Sequence, residues 1–147
     1  MVDRRDIGSW LDGPGGGART VQDYPGQRLG RPQDGDGSLG GFGRRLGGLV
    51  VDWTIALVIA RVLAGGDSLT PLIVFLAEHL LLVGTIGATI GHRVFGLRVE
   101  TLTGAHPGPL KAVVRSLLLA LAIPPLVMDA DQRGLHDRAA GTVVARR

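Results

Sequence analysis

Glu78 and His79 stand side by side near the middle of an apolar run, TPLIVFLAEHLLLVGTIGATI. A carboxyl group and an imidazole are the side chains best suited to loading and releasing a proton. At the centre of a hydrocarbon layer an ionisable group costs about 3 kcal/mol on insertion scales, so its presence there calls for a reason. No Lys or Arg stands one helical turn away from Glu78, where Val74, Phe75, Leu81 and Leu82 are found. Glu78 is therefore either protonated or in contact with water. In the first case it can donate a hydrogen bond across a subunit interface. A neutral Glu78 can also load and release a proton as its access alternates, with His79 or Thr85 as relay. Glu78, Thr85, Thr89 and His92 fall on one stripe if a single helix carries them all.

Asp52 poses the same question in an earlier apolar run, LGGLVVDWTIALVIARVL. Arg45 precedes it by seven residues, which puts both on one helical face about two turns apart. For Asp52 an ion or proton site and a structural salt bridge or inter-helix hydrogen bond are equally good readings. A further polar cluster opens the tail, DADQRGLHDRAAGTVV. Its start partly mimics a calcium loop, but Arg133 stands where an oxygen ligand belongs and the twelfth position is Ala140. His136 and Asp137 adjoin without a second His or Glu at metal-binding spacing and without a nucleophile motif. The chain has no cysteine, which excludes disulfides and thiolate chemistry. No metal, no cofactor and no enzymatic activity are expected.

These residues need elements to hold them. Leu46 to Leu63 forms a first span, entered past Arg44 and Arg45; at about 1.5 Å per residue it comes close to crossing a core about 30 Å thick. After the AGGDS turn, a second span runs from Leu69 to Ile90, with Pro71 in its first turn, where the missing N–H costs little. Gly87-x-x-x-Gly91 there has the form of a helix-packing motif. The third apolar segment, Leu110 to Met128, is short and broken by Pro124-Pro125. If it crossed, Arg133, Arg138, Arg146 and Arg147 would end outside, against the positive-inside rule. A kinked or re-entrant helix that returns the tail is the better reading, shielded by protein or water. Two stretches with strand character, Gly96 to Leu102 and Gly141 to Ala145, could then pair on that same side as a small hairpin.

Residues 1–43 hold twelve Gly, six Asp and five Arg, too little apolar surface to offset the entropy of ordering, and read as a flexible segment ahead of a membrane domain over 44–147. Within that segment Ile7, Trp10 and Leu11 either form one face of a short interfacial helix or belong to an unstructured tail. The first twenty residues contain no apolar stretch like a secretory signal, so insertion is expected to depend on the internal runs. The sequence pI near 10.5 comes from Arg at the ends of apolar runs, with no basic stripe interleaved with aromatics, and so excludes nucleic acid.

Arg45 before the first span, Asp52 within it, the GHRVFGLRV segment (Gly91 to Val99) and the GLHDRAAGTVV tail (Gly134 to Val144) together resemble the RDD family of small bacterial membrane proteins. The resemblance extends from about Phe42 to Ala145. It implies that the arginine and two aspartates of the family's name map onto Arg45, Asp52 and Asp137, and that transport of a ligand or ion is the activity to consider. The third segment is short beside many relatives.

The expected architecture is an all-α membrane protein of two firm transmembrane helices and a broken third, multi-pass in the cell membrane with a cytoplasmic N-terminus. Arg45, Asp52, Asp137 and Arg138 would form a polar cluster at the cytoplasmic interface, and Glu78, His79 and Thr85 an intramembrane ion or proton site. So few helices can hardly enclose a pathway. Besides the lipid bilayer, the partners implied are copies of the same chain or a membrane protein. Two functions follow: a transport component, or a non-catalytic interaction subunit.

Overall fold

A computed structural model describes residues 22–121, 128, 129 and 131–147. After a 3-10 turn at Gln27–Leu29, its elements are α1 (Phe42–Ala64), α2 (Thr70–Ile86), α3 (Ile90–Val94), β1 (Leu97–Thr101), α4 (Gly108–Ala120), α5 (Leu135–Ala140) and β2 (Thr142–Arg146).

In α1, Gly48, Asp52, Ala56 and Ala60 recur every fourth residue and are buried, while Val50, Leu57, Val58 and Val62 are exposed. Small residues inward and large aliphatic ones outward reverse the pattern of a soluble helix. This is how helices pack in lipid, where close backbone approach rather than apolar burial holds them together. At 23 residues α1 is long and apolar enough to cross a membrane, about 35 Å at 1.5 Å per residue. It stops at Gly65, whose positive φ of 65° suits a helix C-terminus.

The second helix is shorter than the sequence suggested. α2 has 17 residues, about 26 Å. It ends at Gly87, which takes a φ of 75° and donates its N–H to the Leu82 and Val83 carbonyls. Thr89 then starts a new helix: its side chain accepts from the His92 N–H while His92 answers the Thr89 N–H, a reciprocal cap that gives α3 its own start. The stripe through Thr89 and His92 is therefore not one helical face. Gly87 and Gly91 likewise belong to different elements and do not act as one packing motif. Gly91 instead meets α1, so closely that a Cβ there would lie 2.0 Å from the Gly48 carbonyl oxygen.

The expected strands form and pair. β1 and β2 run antiparallel with Leu97 opposite Arg146, Val99 opposite Val144 and Thr101 opposite Thr142. Leu97, Val99 and Val144 join Val83 of α2 and Ala112 of α4 in one apolar core, and Ala56, Phe75 and Leu119 form a second core between the helices. Leu39 bridges to Ala145, and Gly40 donates to the Val144 carbonyl, so the entry to α1 is attached to the same sheet. Because β1 precedes α4 and β2 follows α5, the chain between them leaves and returns to one end of the bundle. The third apolar segment is thus helical over Gly108–Ala120, with Pro124 and Pro125 outside the described residues.

Of the segment expected to be flexible, residues 22–41 make specific contacts. Gly26 donates to Asp131 Oδ1 at 3.1 Å and Arg28 reaches Asp131 Oδ2 at 3.4 Å. Arg31 pairs with Glu100 and donates to the Thr101 carbonyl at 3.2 Å. The Ile7, Trp10 and Leu11 face lies outside the described residues.

Candidate functional site

α2 packs against both α1 and α4, and between α1 and α4 lies a cavity of about 470 Å³. Leu46, Leu49, Trp53, Phe75 and Leu119 make its walls apolar, and its polar groups sit in two layers.

The first layer centres on Asp137, which is fully buried at the start of α5. Arg115 of α4 donates its Nε to Asp137 Oδ1 at 2.8 Å, and Thr142 of β2 donates to the same oxygen at 3.2 Å. Arg45 approaches Oδ2 to 3.5 Å, as does His136 Nε2. Arg45 also donates to the Gly40 carbonyl at 2.7 Å and the Val144 carbonyl at 3.3 Å, tying the first turn of α1 to the chain before it and to β2. Burial pushes the Asp137 carboxyl up, but Arg115, His136 and Arg45 together outweigh it and hold the group at about 2. It is a carboxylate clamped by two arginines. The Arg115 Nη1 is buried and unpartnered among the described residues.

The second layer is deeper along α1. Asp52 accepts from Thr89 Oγ1 and from the Gly91 N–H, both at 2.6 Å, so it fixes α3 against α1. His79 of α2 brings its Nε2 to 3.7 Å from Asp52 Oδ2 while its Nδ1 lies 3.0 Å from the Phe75 carbonyl. The His92 ring is 6.3 Å from that of His79 and is fully enclosed; burial first, then Arg115, lowers its proton affinity well below that of a free imidazole. Glu78 neighbours Asp52, and its two carboxyl oxygens are buried without a hydrogen bond of regular geometry. Two carboxyl groups thus adjoin within the bundle.

The structure brings Arg45 and Asp137 together, and separately Asp52, Glu78 and His79. It does not pair Arg45 with Asp52: the former turns to Asp137, the latter to Thr89 and Gly91. Arg138 is exposed, 3.8 Å from Asp129, and makes no ion pair with Asp137. Thr85 is exposed and donates to the Leu81 carbonyl. Arg115 was missed, and Thr89 was placed on the stripe of the second span, not at the start of a new helix. An arginine inside the apolar run PLKAVVRSLLLALA was the available signal for Arg115; Thr89 two residues after Gly87 was the signal for a fresh helix cap. Among the described residues no group of three or more His, Asp or Glu side chains is arranged to hold a metal ion.

Neither the curated proteins nor the solved structures contain a match to this chain. The family model for RDD matches residues 65–141, just over half of the chain, which holds Glu78, His79, Arg115 and Asp137, while Arg45 and Asp52 precede it. With that match and the helix α1 of membrane-crossing length, the chain is a membrane protein that belongs to the RDD family.

Proposed function

We propose that this protein is a multi-pass component of the cell membrane, with α1 and α2 both crossing and the N-terminus cytoplasmic, that acts as an oligomer to move a proton or small cation past Asp52, Glu78 and His79. The observation that carries this reading is the adjacency of the Asp52 and Glu78 carboxyl groups, with His79 beside them, at the depth where the helices are most apolar. Two carboxyls in contact cannot both be ionised without cost, so they share a proton, and a cation that approaches one displaces it. Asp52 and His79 line the cavity, which supplies the approach. Three helices do not close a pathway, and the exposed aliphatic face of α1 supplies the surface on which copies would assemble. No catalytic role is assigned to any residue.

The second reading, a non-catalytic interaction subunit, draws on the same exposed face of α1 and on the cleft between α1 and α4. Vesicles reconstituted with the protein and loaded with a pH-sensitive dye separate the two. Cation-dependent proton flux in the wild type, lost in a stably folded Glu78→Gln protein, is the expected result. Absence of flux in the wild type, together with a changed subunit number in Glu78→Gln, leaves the interaction subunit.

A further inference from the structure

The Asp137 clamp leaves a buried arginine donor unmatched. Asp137 accepts from Arg115 Nε and Thr142 Oγ1 on Oδ1, while Arg45 stands 3.5 Å from Oδ2 without a hydrogen bond to it. Arg115 is only 4% exposed, yet its Nη1 makes no hydrogen bond among the described residues. A buried guanidinium N–H without an acceptor is costly, because its hydration is gone and nothing has replaced it. Arg115 and Arg45 both line the cavity between α1 and α4. From their level the cavity continues along α1 from Leu46 to Trp53, about 10 Å of helix, between walls that are mainly apolar, with Asp52 and His79 of the second layer among them.

A pocket with an unpaired cationic donor at one end and hydrocarbon walls beyond it matches an amphiphile with an anionic head. We infer that this cleft is a binding site for an acyl-chain amphiphile, whose carboxylate or phosphate head accepts from Arg115 Nη1 beside Arg45 and whose chain lies between Leu49, Trp53 and Leu119. The unmatched Arg115 donor beside Arg45 selects an anionic acceptor, which a carboxylate or phosphate supplies. The walls select a chain, since a free inorganic anion would leave them in contact with water. The volume is within the range of small-molecule sites. The direction also fits a bilayer, with the head at the end of the bundle that carries the sheet and the chain toward the middle of α1. The site shares the cavity that Asp52 and His79 line, so a bound chain would occupy the approach proposed above, but it does not rest on the proton chemistry of Glu78.

Trp53 provides the readout. The chain has two tryptophans, so Trp10→Phe leaves Trp53 as the single fluorophore in the cleft. The purified full-length protein in mild detergent is titrated with chain-brominated palmitic acid, with chain-brominated phosphatidylglycerol and, as the uncharged control, with brominated methyl palmitate. The expected result is saturable quenching of Trp53 by at least one anionic probe at about tenfold lower concentration than by the ester, the gain of one charged hydrogen bond. Preference for the free acid identifies a single-chain carboxylate as occupant, and preference for phosphatidylglycerol identifies a phospholipid head; either supports the site. Arg115→Gln is expected to abolish the anionic preference and Arg115→Lys to retain part of it. Ala120→Phe fills the cleft without touching the clamp and serves if Arg115→Gln does not fold; it is expected to block saturable quenching. Equal quenching by acid, phosphatidylglycerol and ester in the wild type overturns the inference, as does an anionic preference that persists in both Arg115→Gln and Ala120→Phe.

Discussion

Asp137 and Asp52 are both buried carboxyls, but they hold their places by different means. Asp137 is held by charge, between Arg115 and Arg45, and removing the carboxylate strands two guanidinium groups. Loss of one partner from a buried ion network costs about 3–5 kcal/mol, so Asp137→Asn should sharply reduce the melting temperature. Asp52 is held by the Thr89 hydroxyl and the Gly91 N–H, and exchanging Arg45 with Asp52 is expected to recover nothing, since the two do not meet. Protonation gives a second handle on the same residues. The folded state lowers His92 from 6.5, so the unfolded chain binds the extra proton, and the stability this group contributes is complete above about pH 6.5 and erodes as the pH falls below it. Asp137, lowered from 3.8 to about 2, adds a loss confined to the interval between those values. Thermal unfolding in detergent between pH 7.5 and 5 should therefore show a falling midpoint in the wild type and a flatter profile in His92→Phe; parallel profiles would remove His92 as the source. Arg45, Asp52 and Asp137 could be singled out in the sequence, but their partners could not. Charge sign and helical spacing suggested that Arg45 faced Asp52, whereas the partner Arg45 takes stands 92 residues further along, where only the return of the tail could bring it.

The elements divide by the kind of signal that defines them. α1 was legible because a long apolar run has one stable form in a membrane, and the strands because of period-two alternation in Gly96 to Leu102 and β-branched residues in Gly141 to Ala145. The end of α2 was not, since Gly87 reads equally as a packing residue or as a left-handed helix stop, and only the Thr89 cap behind it decides. α4 was legible as a break in the third run, although its first turn begins at Gly108, ahead of the apolar residues that suggested it. α1 and α3 meet closely at Gly48 and Gly91. A Cβ on Gly91 would lie 2.0 Å from the Gly48 carbonyl oxygen and 2.8 Å from Asp52 Oδ1, and neither has room to move without shifting a helix. Gly91→Ala should thus separate α3 from α1, break the Gly91 N–H to Asp52 hydrogen bond and lower the protein's abundance in membranes. Gly43→Ala, where a Cβ meets nothing within 4 Å, is the matched control and should accumulate as the wild type does. Equal abundance of both variants would mean that the α1 and α3 crossing is not a determinant of the fold.

For the molecule as a whole, the sheet decides which ends lie together. The entry to α1 is joined to β2 through the Leu39 and Ala145 bridge and by the hydrogen bond from Arg146 N–H to the Ser38 carbonyl at 2.7 Å. β1, which follows α2 and α3, pairs along the whole of β2. The segment before α1, the connector after α3 and the tail therefore share one end of the bundle, and with them come Arg44, Arg45, Arg93, Arg98, Arg146 and Arg147. At the opposite end the turn between α1 and α2 carries only Asp67, beside Arg61, which donates to the Gly65 carbonyl within that turn. In the orientation proposed above the arginine-rich end lies on the cytoplasmic side, where loops rich in Lys and Arg are retained. The chain has no native cysteine, so one introduced thiol reports one position. Arg147→Cys, at an exposed residue, should react with an impermeant maleimide only when the cytoplasmic face is open, and Ser68→Cys, in the exposed turn after α1, only from the outer face. Labelling of both from one face would place α1 and α2 as a pair that dips without crossing; labelling of Arg147→Cys from outside alone would invert the orientation and with it the side from which the Asp137 clamp and the cleft beside it are reached.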